Sequence, residues 1–125
     1  MADESGSTSD ESVWDLDGAL KRINGKEKLL LKLVNLFLKS MPDEIEKLNQ
    51  AIQAGDLDAV RLHAHTIKGA AGSLSANAMM AAASTTEQAS IDGKSDELTD
   101  LSSGLKSCFE EVEALFKNYA AEKQA

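Results

Sequence analysis

Apolar residues recur along this chain at intervals of three and four rather than two. Helices burying a single face produce that rhythm, and strands do not. Between Lys26 and Ala54 the series Leu30, Val34, Phe37, Met41, Ile45, Leu48, Ile52 makes one continuous stripe. Pro42, the only proline, interrupts it, so a helix kinked or restarted near Ser40 is expected there. Gly55 closes this helix and Asp56 caps the next, whose stripe is Leu57, Val60, Ala64, Ile67, Ala71, Leu74. A fourth segment, near Ala76 to Ala89, turns Met79, Ala82, Ala83 and Thr86 inward and is small enough for close helix approach. After Asp92-Gly93 the last helix offers Leu98, Leu101, Leu105, Cys108, Val112, Leu115 and Tyr119 as a seam flanked by Phe109 and Phe116. A short first helix, about Asp15 to Ile23, ends at Asn24-Gly25 and can pack Trp14, Leu16 and Leu20 over one end. The fold class is all-α: an antiparallel four-helix bundle with a short additional N-terminal helix.

With 125 residues, one domain is expected. Residues 1–12 are almost free of apolar side chains and read as a disordered acidic arm or linker. Six acids among residues 1–17 supply six of the eight net negative charges, leaving 13 bases against 15 acids elsewhere. No concentrated basic face emerges, which argues against a nucleic-acid partner. No apolar run approaches the roughly 20 residues needed to span a bilayer, and the N-terminus lacks a signal peptide's apolar centre. A soluble, cytoplasmic protein is expected, and the single Cys108 suits a reducing compartment without proving one.

The third helix holds the residues on which chemistry is expected. At about 100° per residue its core stripe leaves Arg61, His65, Lys68, Gly69 and Gly72 together on the neighbouring outward arc. Lys68, three residues on, can bring its ammonium beside the His65 imidazole, and Gly69, four residues on, leaves bare backbone against which a partner can dock. Glycine inside a helix costs up to about 1 kcal/mol relative to alanine, so Gly69 and Gly72 ask for a reason. Helix packing beside an ordinary surface histidine is one; access to a reactive imidazole is the other. His63 diverges from His65 by about 200°, so the two cannot share a metal ion within this helix, and His63 takes a flanking, structural role. Arg61 either favours an acidic partner surface or is simply solvated. Cys108, Met79 and Met80 read as core filler.

The run Ala64-His65-Thr66-Ile67-Lys68-Gly69-Ala70-Ala71, followed by Leu74, closely resembles the signature of histidine-containing phosphotransfer (Hpt) domains of bacterial multistep phosphorelays. The helix order fits that family from about Asp15 to Tyr119, which assigns residues 13–121 to the bundle domain. The resemblance implies that His65 accepts a phosphoryl group from an aspartate of one receiver domain, in a hybrid sensor kinase, and passes it to an aspartate of another, in a response regulator. It puts the family lysine on Lys68, for phosphate charge compensation, and the family glycine on Gly69, for access. An acidic family position falls on Glu87, a hydrogen-bond partner for the imidazole, and Arg61, Gly72 and Glu87 become candidate partner-binding residues. The chain departs from the family at Ser75, where glycine is usual, so the turn into the fourth helix is expected to differ.

The chemistry agrees with the resemblance. A free imidazole, with a pKa of about 6.5, is largely neutral and nucleophilic near pH 7.5. Phosphoryl transfer asks mainly for in-line positioning and cationic compensation of the equatorial oxygens. The expected protein is therefore a covalent carrier, commonly monomeric in this family, with no cofactor of its own; Mg2+ is expected on the partner receiver. The alternative is a helical adaptor that binds a receiver without transferring phosphate. The phosphoacceptor part of a sensor kinase fits less well, since Thr66 rather than an acid follows His65 and no proline occurs after Pro42.

Overall fold

The computed structural model describes residues 12–124. The acidic arm anticipated at residues 1–12 falls, apart from Ser12, outside the described residues. Five α-helices follow: α1 (Leu16–Arg22), α2 (Glu27–Ala54), α3 (Leu57–Ser73), α4 (Asn77–Ile91) and α5 (Leu98–Gln124), the last entered through a 3-10 turn at Ser95–Glu97. The long helices form a closed ring, α2 packing on α3 and α5, and α4 packing on the same two. This is the expected four-helix bundle.

Local chemistry sets the boundaries. Asp15 caps α1 by accepting the Gly18 N–H at 3.0 Å, and Asp56 caps α3 by accepting the Ala59 N–H at 3.1 Å. Gly55, at φ 70°, ends α2 in the left-handed conformation that glycine adopts without a Cβ penalty. α2 is unbroken from Glu27 to Ala54 and does not restart near Ser40. Pro42 lies on its exposed face, where water can serve the carbonyl whose partner proline removes.

The stripes of α2 and α3 are buried as read, except that Ala51 rather than Ile52 closes the α2 series and Leu57, at the start of α3, is only half-buried. The α5 seam is rotated from its expected position. Leu98, Ser102, Leu105, Phe109, Val112, Phe116 and Tyr119 are buried, whereas Leu101, Cys108 and Leu115 sit half-buried at the edge. Both registers step by three and four. The structure takes the one that buries Phe109 and Phe116, which remove more apolar area from water than Cys108 and Leu115 would. Ser102 is tolerated in that seam because its hydroxyl bonds to the Asn49 side-chain amide. Phe116 stacks edge-on against Trp14 and Phe37, with centroids at 4.6 and 5.0 Å, tying α5 to α2 and to the segment before α1.

The turn at Ser75 follows the glycine pattern without a glycine. Ser75 adopts φ 58°, the Ser75 N–H bonds to the Gly72 carbonyl at 3.1 Å, and the Ala76 N–H bonds to the Ala71 carbonyl at 2.8 Å. These are the paired bonds of a Schellman termination. The non-glycine residue is held by its surroundings: the Ser75 hydroxyl accepts from Arg22 Nε at 3.1 Å, and its carbonyl accepts from the Asp15 N–H at 2.9 Å. Trp14 Nε1 donates to the neighbouring Leu74 carbonyl at 2.8 Å. The end of α3 is thereby fastened to α1.

Candidate functional site

His65 projects from the middle of α3, its side chain 63% exposed, towards α4. Its Nδ1 lies 3.0 Å from Glu87 Oε2. The other carboxylate oxygen, Oε1, receives Lys68 Nζ at 2.7 Å. Glu87 is itself only 13% exposed, so α3 and α4 hold it as a fixed acceptor between an imidazole and an ammonium. The Lys68 hydrogen bond is the main cause holding its carboxyl below the usual carboxylate range; partial burial acts in the opposite direction, and His65 adds to the lowering. An ionised carboxylate can only accept, so Nδ1 carries the hydrogen. The lone pair is left on Nε2, the nitrogen not engaged by Glu87.

The structure brings together His65, Lys68 and Glu87. Lys68, read from sequence as a cation for an incoming phosphate, is committed in this state to Glu87 and serves first to keep it charged. Gly69 is exposed, and a Cβ built there would meet nothing within 4 Å, so the backbone one turn from His65 is open to solvent. Gly72 does not share that openness. A Cβ there would stand 2.9 Å from Sδ of Met80, a flexible side chain of α4, so α4 partly occupies the space beside it. Arg61 is exposed on α3. His63 points to the opposite flank, where Nδ1 lies 3.0 Å from Glu44 Oε1 of α2 in a half-buried pair. Reading helices singly could not reveal that pair, because Glu44 and His63 meet only through the packing of α2 on α3. Among the described residues no group of three or more His, Cys, Asp or Glu side chains could hold a metal ion, and no helix is long and apolar enough to cross a membrane.

An outward imidazole, a fixed acidic partner and an adjacent bare stretch of helix suit a nucleophile reached by another macromolecule. The family model for the Hpt domain matches residues 32–116, which include every residue of this constellation. The chain belongs to the Hpt family. Hpt domains are phosphocarriers rather than kinases, and this one is a histidine phosphotransfer intermediate of two-component signalling. Its fold is similar to that of histidine-containing phosphotransfer protein B from Pseudomonas aeruginosa PAO1, with TM-score 0.83 and 23% identity over 88% of this chain and 96% of that one. It is also similar to the Hpt domain of a sensor hybrid histidine kinase from Shewanella, with TM-score 0.80 and 20% identity over 90% and 97% of the respective chains. A search of curated proteins gave no significant match.

Proposed function

We propose that Nε2 of His65 is the atom that carries the phosphoryl group. Its lone pair attacks the phosphorus of an aspartyl phosphate on a donor receiver, the P–O bond to the aspartate breaks, and the carboxylate leaves with the bonding electrons. The product is a phospho-imidazolium whose proton remains on Nδ1, facing Glu87. The negative carboxylate stabilises the positive ring that forms, which a neutral acceptor would do less well. In the second half-reaction an acceptor aspartate attacks phosphorus, the P–N bond breaks, and the neutral imidazole returns. Donor and acceptor are receiver domains of a hybrid sensor kinase and of a response regulator, and the carrier has no ATP-dependent activity of its own. Mg2+ belongs to the receiver, where it neutralises phosphoryl oxygens. This chemistry takes place in the cytoplasm.

The observation that carries this reading is the exposed His65 imidazole whose Nδ1 is bonded to the Lys68-paired Glu87. The test is labelling of purified His65→Gln and parent chain by a phosphorylated receiver. The parent is expected to form an acid-labile, base-stable phosphohistidine and the variant none. Equal labelling of both would end the assignment.

A further inference from the structure

The α5 seam carries one polar step in an apolar series. Leu98, Leu105, Phe109, Val112 and Phe116 are buried, yet the position between Leu98 and Leu105 is held by Ser102, only 5% exposed. A leucine would fill this position, whereas serine leaves space against α2, and unfilled space in a seam is destabilising. Above Ser102 the two helices border a cleft of about 310 Å³, lined by Glu46, Asn49 and Gln53 of α2 and by Thr99, Ser102 and Lys106 of α5. Glu46, Asn49 and Lys106 also line an adjoining hollow of about 200 Å³ over Pro42 and Phe109. In the ring of helices the α2–α5 edge lies opposite the α3–α4 edge that holds His65 and Glu87. The chemistry at His65 makes no use of it.

The polar groups of this cleft are arranged for a small charged solute. The Ser102 hydroxyl donates to Asn49 Oδ1, which fixes the amide and leaves its two N–H hydrogens without a partner among the described residues. Lys106 is the one cation among the described lining residues, is exposed, and is in no ion pair with a described residue. Glu46 borders the same two hollows, and its carboxylate accepts from the Gln50 amide at 3.3 Å. An acid and a base that share a cleft without pairing with each other complement a solute that carries both charges. Size and charge narrow the class. A volume of about 310 Å³ stands at the small end of ligand pockets, which run from about 300 to 1,000 Å³. A nucleotide would bring several negative charges to a single lysine with Glu46, Glu110 and Glu113 around it. A small zwitterion meets neither objection.

We propose that the α2–α5 cleft is a binding site for a free α-amino acid. The ligand's carboxylate takes the Asn49 amide hydrogens and the Lys106 ammonium, its ammonium group takes the Glu46 carboxylate, and its side chain runs towards Pro42 and Phe109. Ser102 serves by being small and by fixing Asn49. A ligand on this edge leaves His65 uncovered, so the site stands or falls independently of phosphoryl transfer.

The experiment is titration of the 15N-labelled full chain with each proteinogenic α-amino acid, followed by amide NMR shifts. Reaching about 10 mM covers the millimolar affinity of a small solute in an open cleft. At least one amino acid is expected to give saturable shifts confined to residues 46–53 and 99–110. Its methyl ester, which lacks the carboxylate, and its N-acetyl derivative, which lacks the ammonium, should each bind at least tenfold more weakly. Lys106→Gln and Glu46→Gln, exposed substitutions that leave the seam intact, should weaken binding by a similar factor. Ser102→Leu should abolish the shifts and raise the thermal midpoint by filling the seam. Helix content checks the fold of each variant, and the two exposed variants decide the matter if Ser102→Leu does not fold. The proposal is overturned if no amino acid gives saturable shifts at the cleft. It is equally overturned if binding survives both exposed variants, or if the ester and the N-acetyl derivative bind as well as the free amino acid.

Discussion

Glu87→Ala removes the acceptor that selects the tautomer of His65, and the size of the effect can be worked from the site. A hydrogen bond to a charged partner contributes about 1.5–3 kcal/mol. His65 is 63% exposed, and solvent screening brings the interaction down towards the roughly 1 kcal/mol of a surface pair. About 1 kcal/mol is a factor of about five in a population ratio at 25 °C, RT being about 0.59 kcal/mol. The form with hydrogen on Nδ1 and the lone pair on Nε2 should therefore lose about fivefold in weight relative to the other tautomer. If Nε2 is the nucleophile, phosphoramidate labelling at pH 8.5 should slow by about three- to fivefold. The tautomer ratio is read from imidazole 15N shifts, with His65 signals assigned by their absence in His65→Gln. Glu87→Gln, which keeps a neutral acceptor oxygen, should fall between. An unchanged 15N pattern in Glu87→Ala together with an unchanged labelling rate would refute the claim that Glu87 sets the nucleophile.

Gly69 and Gly72 should part company. Gly69→Gln fills open solvent, so it should raise stability by up to about 1 kcal/mol from helix propensity while slowing receiver transfer at least tenfold. Gly72→Ala meets a flexible methionine and should change neither thermal midpoint nor transfer appreciably. At Ser75, replacement by glycine relieves a left-handed backbone but gives up the Arg22 hydrogen bond, two effects of about 1 kcal/mol that nearly cancel. Ser75→Val keeps the strain, loses the hydroxyl and should clearly lower the midpoint in thermal unfolding. Finally, Glu87 has a lowered carboxyl pKa in the folded chain, so its stabilisation is complete above the unfolded value of about 4.3 and is lost as pH falls through the lowered one. The stability gap between parent and Glu87→Gln should accordingly shrink as pH falls below about 4.

How much of this was legible depends on whether a feature lives on one helix or between two. The stripes of α2 and α3 follow from spacing alone, because a helix of fixed pitch turns spacing into a face; so does the separation of His65 from His63. The α5 seam shows the limit. Two registers with the same three-four rhythm were available, and the choice went to the phenylalanines because of what α2 and Trp14 present to them. Gly72 shares an arc with His65, and that Met80 of α4 comes up against it is another feature made between helices. Sequence likewise put Lys68 beside the imidazole at i+3, yet in the fold its ammonium goes to Glu87, since a half-buried carboxylate from another helix is the stronger partner. The pairing of Glu44 with His63 likewise comes only from the antiparallel register of α2 on α3. A nucleophile can be found by reading its own helix, whereas the group that orients it comes from a neighbouring one, so substitution of Glu87 on α4 should change the behaviour of the His65 imidazole without altering α3 itself.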